Sequence, residues 1–127
     1  MQLEIMDHAF FMKEALQEAK TALSLDQRPI GSVIVFEDRV ISRGYNMSLI
    51  GKSKMAHAEM ETMRKIQSFL YDNGRKCVIY TTIEPCPMCL GAIVMNNIKN
   101  IVFGAYDQYA GGEKIINSME YVKEPCS

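Results

Sequence analysis

The sequence predicts an α/β protein in which helices cover a mixed β-sheet, because three patterns along the chain agree. Near the N-terminus, apolar residues recur at spacings of three and four, which is typical of an amphipathic helix. Two runs rich in β-branched residues follow, separated only by Glu37-Asp38, and they predict a hairpin. A later strand–helix–strand order implies a parallel pair with a right-handed crossover. Together these units give an α/β sandwich.

Size and composition are those of one globular domain. The chain has 127 residues, and we expect residues 1–127 to form a single domain. Hydrophobic residues make up 48% and charged residues 23%, which excludes a disordered protein. No apolar run approaches the roughly 20 residues that cross a bilayer. The N-terminus lacks the basic start and apolar stretch of a signal peptide, so a cytoplasmic protein without a membrane partner is predicted.

The charge balance gives no sign of a nucleic-acid binder. There are 14 basic and 15 acidic residues, with a formal net charge of -1. Proteins that bind nucleic acids usually carry a basic excess, because neutralising phosphates supplies much of their affinity. Lys52 and Lys54 flank a loop, where they form either a local basic patch or an ordinary solvated surface.

The first half of the chain is predicted in order as helix, hairpin and loop. The helix runs from Asp7 to about Leu23, with Asp7 as its N-cap. Its apolar stripe consists of Phe11, Ala15, Ala19 and Ala22 or Leu23. The hairpin strands are Ser32–Phe36 and Arg39–Arg43, and Gly44 to Met55 is loop.

The second half supplies the strand–helix–strand unit. In chain order the predicted elements are a helix from about Ala56 to Leu70, a turn at Asp72-Asn73-Gly74, a central strand over Cys77–Thr82, a helix framed at its start by Pro85 and Pro87 that runs to about Asn96, and a strand over Lys99–Phe103. Met60, Met63 and Ile66 or Phe69 make a stripe that faces a core. We interpret this stripe as packing, not as a cofactor contact.

Two of the four cysteines form a candidate metal site. Cys86 and Cys89 are three residues apart, so they share one face of the helix that begins beside them. A helix N-terminus favours thiolates, the form of cysteine that binds zinc. Such a pair also fits a redox site or half of a four-cysteine structural zinc site. The redox interpretation lacks a thioredoxin-like context, and Cys77 and Cys126 are too far apart in sequence to form a second close pair.

His57 and Glu59 complete the candidate site. Two cysteines and His57 make three ligands and leave one position for water, as catalytic zinc requires. Zinc lowers the pKa of a bound water to about 7, and a neighbouring carboxylate such as Glu59 can accept its proton. Residues two apart on a helix differ by roughly 200° in direction, so His57 and Glu59 cannot face the same point from the middle of a helix. The helix must therefore begin near His57. A solvated first-turn acid is the other interpretation of Glu59.

These residues match the signature His-x-Glu…Pro-Cys-x-x-Cys, and the chain resembles the cytidine/deoxycytidylate deaminase superfamily. The run from Glu84 to Ile93 resembles the branch that holds tRNA adenosine deaminase and guanine deaminase. Further runs similar to the tRNA enzyme are Pro29-Ile30-Gly31, Arg39-Val40-Ile41, Gly44-Tyr45-Asn46, Ala56-His57-Ala58-Glu59 and Val102-Phe103-Gly104-Ala105. A weaker similarity to fungal cytosine deaminase rests on Tyr80-Thr81-Thr82, Gly44-Tyr45-Asn46-Met47 and Gly112-Glu113-Lys114.

The resemblance implies a three-layer α/β/α sandwich with a mixed five-stranded sheet, a cytidine deaminase-like fold. The zinc ligands that it implies are His57, Cys86 and Cys89. It also implies that Glu59 is the proton shuttle, that Asn46 hydrogen-bonds the base, and that the Ala58 N–H contacts the reacting carbonyl or zinc-bound oxygen. Taken alone, Asn46 is equally a turn residue after Gly44. A homodimer is implied as well, because these small domains usually complete their sites near a subunit interface.

Three departures from the tRNA enzymes leave the substrate open. Ser53-Lys54-Met55 stands where those enzymes carry Asp-Pro-Thr or Asp-Pro-Ser, and Gln108–Gly112 replaces a Lys-Thr-Gly-Ala-rich loop. The sequence ends at Ser127, where relatives continue into C-terminal helices that help to bind RNA or cover the pocket. We therefore expect a cytidine deaminase-like domain without those helices.

Three hypotheses follow. The leading one is zinc-dependent hydrolytic deamination of the ring amino group of a free nucleobase, nucleoside or related amino-heterocycle, with release of ammonia. The alternative, conversion of a tRNA wobble adenosine to inosine, is supported by the long resemblance and by Asp107 after Gly104-Ala105-Tyr106. The third is a non-catalytic zinc module. Glu59 argues against that module, because a purely structural zinc site does not need it.

Overall fold

A computed structural model describes residues 7–107 and 111–112 of the chain. The helices are α1 (His8–Ser24), α2 (Ala58–Arg64), α3 (Gln67–Asn73) and α4 (Pro87–Met95). The strands are β1 (Gly31–Phe36), β2 (Arg39–Tyr45), β3 (Cys77–Thr81) and β4 (Asn100–Phe103). Within the described ranges, no helix combines the length and the apolar character that a membrane span needs.

The strands form one sheet in the order β2-β1-β3-β4. Strand β1 pairs antiparallel with both β2 and β3, whereas β3 and β4 are parallel. Glu37 and Asp38 connect the hairpin with positive φ angles of 51° and 60°, the backbone of a type I′ turn. The sheet is therefore mixed, as predicted. It has four strands among the described residues, and the fifth strand implied by the resemblance is not one of them.

Each face of the sheet carries its own apolar cluster. The cluster under α1 consists of Phe11, Ala15, Val33, Val35, Val78 and Tyr80. The cluster on the opposite face, under α2, α3 and α4, consists of Ile34, Met63, Leu70, Cys77, Ile79, Ile93 and Ile98. Side chains of one strand alternate between the two faces, so both clusters draw on β1 and β3. Helices on both sides of a sheet confirm the predicted three-layer sandwich.

Helix α1 confirms its predicted start and stripe. The Asp7 carboxylate accepts a hydrogen bond from the Phe10 N–H at 3.0 Å and caps the helix. The buried stripe consists of Phe11, Ala15, Ala19 and Ala22, whereas Leu23 is exposed. Gly31 lets β1 pass close beneath the helix, because a Cβ there would lie 2.2 Å from the Ala15 carbonyl oxygen.

The prediction of one continuous helix over residues 56–70 is wrong. The chain forms α2 and α3 instead, with a break at Ile66, whose φ of -131° and ψ of 36° are not helical. The Ile66 N–H donates to the Met63 carbonyl at 3.1 Å. Met60, Ile66 and Phe69 all pack on one cluster, so the apolar pattern continues across the break. The methionine stripe is packing, as predicted.

The remaining elements are confirmed with small shifts at their ends. Strand β3 ends at Thr81, one residue earlier than predicted. The predicted turn at residues 72–74 is instead the end of α3 and the start of a 3₁₀ turn at Gly74. Helix α4 begins with Pro87 in its first turn and Cys86 as its N-cap. Proline is favourable in a first helical turn, because an N–H at that position would have no acceptor within the helix.

Candidate metal and catalytic site

The N-termini of α2 and α4 meet at the candidate site. His57 is the N-cap of α2 and Cys86 is the N-cap of α4, and both have the extended backbone typical of that position. Neither side chain makes a capping hydrogen bond within the described structure. Instead, the His57 Nδ1 atom lies 3.5 Å from the sulfur of Cys86 and 3.5 Å from that of Cys89. The predicted trio is therefore brought together by two helix starts.

The trio fits a zinc ion in donor type and spacing. Its three candidate ligand atoms lie within 4.8 Å of one another. A tetrahedral site with Zn–S of about 2.3 Å and Zn–N of about 2.0 Å places nitrogen and sulfur about 3.5 Å apart, in agreement with the two distances above. Cys77 is not part of the cluster, since its thiol donates to the Asn73 carbonyl at 3.4 Å in the core. Cys126 lies outside the described residues.

The pKa values of the two cysteines of the trio are shifted in opposite directions. Hydrogen bonding with Cys89 lowers the pKa of Cys86 to about 5, and the positive charge of His57 adds to this effect against the opposing effect of burial. The same hydrogen bond, burial and the charge of Glu59 raise the pKa of Cys89. Of the two, Cys86 is therefore the one that more readily becomes a thiolate. Thiolate is the form of cysteine that binds zinc.

Glu59 lies in the first turn of α2 and is only 3% exposed. Burial raises the pKa of its carboxyl group, and the negative charge of Cys86 raises it further. Its own backbone N–H, the charge of His57 and the Thr81 hydroxyl act in the opposite direction. The interpretation of Glu59 as a solvated acid is wrong because the side chain is buried. A carboxyl group with a raised pKa is suited to accept and return protons near neutrality.

Asn46 and Ala58, the two predicted substrate-binding residues, are both buried. The Asn46 Oδ1 atom accepts from the N–H and the hydroxyl of Ser48, at 3.0 and 2.8 Å, so this residue does form a turn. Its Nδ2 makes no hydrogen bond to any of the described residues and can donate to a ligand. Ala58 is the first residue of α2, and its N–H therefore lacks an intrahelical acceptor. The base and substrate contacts of both residues stay predictions.

Two buried side chains shape the site although sequence reasoning assigned them no role. The Thr62 hydroxyl donates to the Ala58 carbonyl at 2.7 Å and steadies the first turn of α2. The Glu84 carboxylate, in a residue that is 7% exposed, accepts from the Asp107 N–H at 3.1 Å. It ties the segment after β4 to the start of α4. The only signal in the sequence was an acid directly before the Pro-Cys-x-x-Cys run.

The segments that depart from the tRNA enzymes are only partly described. In the replaced loop, the Gly112 N–H donates to the Pro85 carbonyl at 2.8 Å. A Cβ at Gly112 would lie 2.8 Å from the Pro87 nitrogen, so glycine permits this close approach to α4. Lys52 and Lys54 are exposed. Residues 108–110 and everything after 112, including the Met119–Val122 run, lie outside the described residues.

Comparison with known proteins confirms the resemblance. Residues 5–105 match the profile of the cytidine and deoxycytidylate deaminase zinc-binding region. The tRNA-specific adenosine deaminase of Bacillus subtilis is 37% identical over 105 residues, which cover 80% of this chain and 63% of that enzyme. The corresponding Aquifex aeolicus enzyme is 36% identical over 124 residues, covering 94% and 79%. The chain thus spans less than two thirds of the Bacillus relative.

Solved structures agree with the fold. One, from a study of A-to-I editing by tRNA:A34 deaminases at the wobble position of transfer RNA, has a TM-score of 0.77 at 35% identity, covering 83% of this chain and 82% of that one. The guanine deaminase of Bacillus subtilis has a TM-score of 0.75 at 31% identity, covering 88% and 76%. The matched region is a zinc-binding one, and among the residues that the structure describes the trio has donors that suit that metal.

Proposed function

The chain belongs to the cytidine and deoxycytidylate deaminase family, and from that premise we propose that it hydrolyses the ring amino group of a nucleobase and releases ammonia. The observation that carries this proposal is the cluster of His57, Cys86 and Cys89 beside the buried carboxyl group of Glu59. A structural zinc site uses four protein ligands and needs no acid next to it. The trio with one acid is the composition of a catalytic site.

In the proposed reaction a ring C–N bond breaks, a C–O bond forms, and one water is consumed for each ammonia released. His57, Cys86 and Cys89 would hold zinc, which would supply Lewis acidity and lower the pKa of a water molecule to about 7. Glu59 accepts one proton from the attacking water and passes it to the ring nitrogen, and it then takes the second proton from the added hydroxyl and passes it to the leaving amine. Its burial matters because a raised pKa favours the protonated carboxyl, which is the proton donor.

Two further groups would hold the substrate. The Ala58 N–H at the start of α2 would donate to the oxygen at the reacting carbon, in the way that preorganised donors stabilise developing charge. The Nδ2 of Asn46 would donate to an acceptor on the base. Asn46 is 2% exposed and its amide is fixed by Ser48, so this donor is held in one orientation.

The relatives favour adenosine in tRNA as the substrate to test first. The Bacillus and Aquifex enzymes named above are tRNA-specific adenosine deaminases, and they match most of this chain. A free purine is the second candidate, because the guanine deaminase structure superposes almost equally well. The charge balance of the sequence favoured the opposite order.

We further propose a homodimer. A groove of about 320 Å³ lies on the outer side of α2 and α4 and contains none of the candidate site residues. Its apolar lining includes Met55, Met60, Met63 and Ala92. Glu61 and Arg64 on the same surface pair with each other at 2.8 Å, so these two charges neutralise each other and can be covered by a second copy related by a two-fold axis. Sedimentation is expected to give a dimer, and Met55→Glu a monomer; a monomeric wild-type chain would contradict this proposal.

One assay panel tests the reaction and its substrate. The purified chain is incubated with cytosine, guanine, adenine and their nucleosides, and ammonia is measured. Inosine formation is measured in parallel in a tRNA with adenosine at the wobble position. We expect inosine in that tRNA and no product with the Glu59→Gln variant. Ammonia from a free base alone would select the second candidate. No product from any substrate would contradict the proposed function.

A further inference from the structure

Thr81 ends β3 on the face of the sheet that α2 and α4 cover. Cys77 and Ile79 belong to the apolar cluster of that face, whereas Val78 and Tyr80 belong to the cluster under α1. Since strand side chains alternate, Thr81 continues the series of Cys77 and Ile79. Its side chain is fully buried, with 0% exposure. A hydroxyl group therefore lies beneath the first turn of α2.

This hydroxyl has no hydrogen-bond partner of good geometry in the described part of the chain. A buried polar group without a partner is unfavourable and calls for an explanation. The neighbouring hydroxyls are committed elsewhere: Ser32 donates to the Tyr80 carbonyl at 2.9 Å, and Thr62 donates to the Ala58 carbonyl at 2.7 Å. Strand β1 links Thr81 to α2, because Thr81 is paired with Ser32 and the Ser32 carbonyl lies 3.4 Å from the hydroxyl of Thr62, three residues after the buried Glu59.

We propose that Thr81 is a positioning residue for Glu59. Its hydroxyl donates to one carboxylate oxygen and leaves the other oxygen directed toward the substrate. This inference rests on the proposed function, because it gives Thr81 a purpose only if Glu59 transfers protons. A carboxylate on a side chain with three rotatable bonds must be held closely, since a displacement of about 1 Å can cost roughly 100-fold in rate.

Thr82 provides a matched control. This threonine directly follows β3, but its hydroxyl oxygen accepts from the Gly31 N–H at 3.1 Å, at the first residue of β1. The Thr81→Val and Thr82→Val variants each remove one hydroxyl at nearly constant volume. Only Thr81→Val is expected to affect Glu59, whereas Thr82→Val is expected to lower stability without changing kcat.

The kinetic test compares Thr81→Val with Thr81→Ser, which keeps the hydroxyl. A hydrogen bond to a charged group accounts for about 10- to 100-fold, so Thr81→Val should lower kcat by that factor. KM and zinc content should stay within about twofold of wild type, and Thr81→Ser should recover most of kcat. An unchanged kcat in Thr81→Val, or a loss that Thr81→Ser does not rescue, would overturn the proposal.

A double-mutant cycle tests the contact without activity. The melting temperature is measured for wild type, Thr81→Val, Glu59→Gln and the double variant. Groups in contact have non-additive effects, and we expect the effect of Thr81→Val to differ by at least about 2 °C between the two Glu59 backgrounds. Additive effects would overturn the proposal. If the two substitutions have non-additive effects but the chain deaminates no substrate, the contact between Thr81 and Glu59 is supported and only the proposed function is contradicted.

Discussion

A side chain caps the start of helix α1, whereas the side chains at the N-cap positions of α2 and α4 make no capping hydrogen bond among the described residues. The Asp7 carboxylate caps α1 by accepting from the Phe10 N–H. His57 and Cys86 occupy the same position in α2 and α4, with cap-like backbone angles but no capping bond from their side chains. A side-chain cap stabilises a helix by about 1 kcal/mol. The site therefore gives up helix stability at two starts in order to direct three ligand atoms at one point.

The two faces of the sheet also differ, in the number of polar side chains that are buried on each. The cluster under α1 is apolar apart from the Tyr80 hydroxyl, which lies 2.6 Å from the Nδ1 atom of His8. The face under α2 and α4 carries the buried polar side chains of Glu59, Thr81 and Thr62. Burying such groups is costly without good partners. Their concentration on one face marks that face as the functional one.

The largest expected effect is the loss of proton transfer. Glu59→Ala should lower the deamination rate about 10²- to 10⁴-fold, because general acid–base catalysis contributes that much. Zinc content and fold should stay those of the wild type. Glu61→Ala is the control: it removes an acid from the same turn, one that pairs with Arg64 at 2.8 Å instead of facing the trio. Near-normal turnover in Glu59→Ala would remove that residue from the mechanism.

Metal loss is expected next. Cys86→Ser should reduce bound zinc from about one per chain to almost none, as measured by metal analysis of the purified protein. Serine is a favourable N-cap, so α4 keeps its start and only the ligand is lost. Cys77→Ala removes a cysteine from the core and should keep its zinc. Equal zinc loss in both variants would mean that the trio is not the metal site.

The comparison of helix starts also predicts opposite stability changes. In metal-free protein, His57→Asn should raise the free energy of unfolding by about 0.5–1 kcal/mol, because asparagine can cap α2 from the existing backbone geometry. Asp7→Ala should lower it by about 1 kcal/mol. Urea unfolding in the presence of a chelator measures both changes. A destabilised His57→Asn variant would show that His57 already supports α2 in another way.

The smallest effect concerns Tyr80 under α1. Burial raises the pKa of Tyr80 to about 12, and the charges of Asp7 and Asp38 act in the same direction. A raised folded-state pKa means that the stabilisation from Tyr80 is complete below about pH 10, the pKa of unfolded tyrosine, and is lost as pH rises toward 12. The stability difference between wild type and Tyr80→Phe should therefore shrink from pH 9 to pH 11. A constant difference would contradict the raised pKa.

The parts of the fold that could be predicted are those where one local signal suffices. Asp7, the stripe of α1 and the Glu37-Asp38 turn each act through neighbours in sequence, and the structure confirms all three. The break at Ile66 could not be predicted, because α2 and α3 pack on one cluster and the apolar pattern does not register the change in direction.

Some residues of the candidate site could also be predicted from the sequence, and others could not. His57, Cys86 and Cys89 were recognisable because metal chemistry requires those residue types, and the structure places them together. Thr81 was not recognisable, since a threonine in a strand is ordinary and its meaning depends on burial under α2. Glu84 acts on Asp107, a partner 23 positions away in the chain, and no local pattern indicates such a contact.

If the starts of α2 and α4 hold the zinc ion of a deaminase, the activity must follow removal and return of the metal. The purified chain is stripped with a chelator and assayed with the substrate that the panel selects, and zinc is then added in steps. We predict that activity is lost with the metal and returns in proportion to zinc, reaching its maximum at about one ion per chain. A metal-free chain that still deaminates at the original rate would contradict the account.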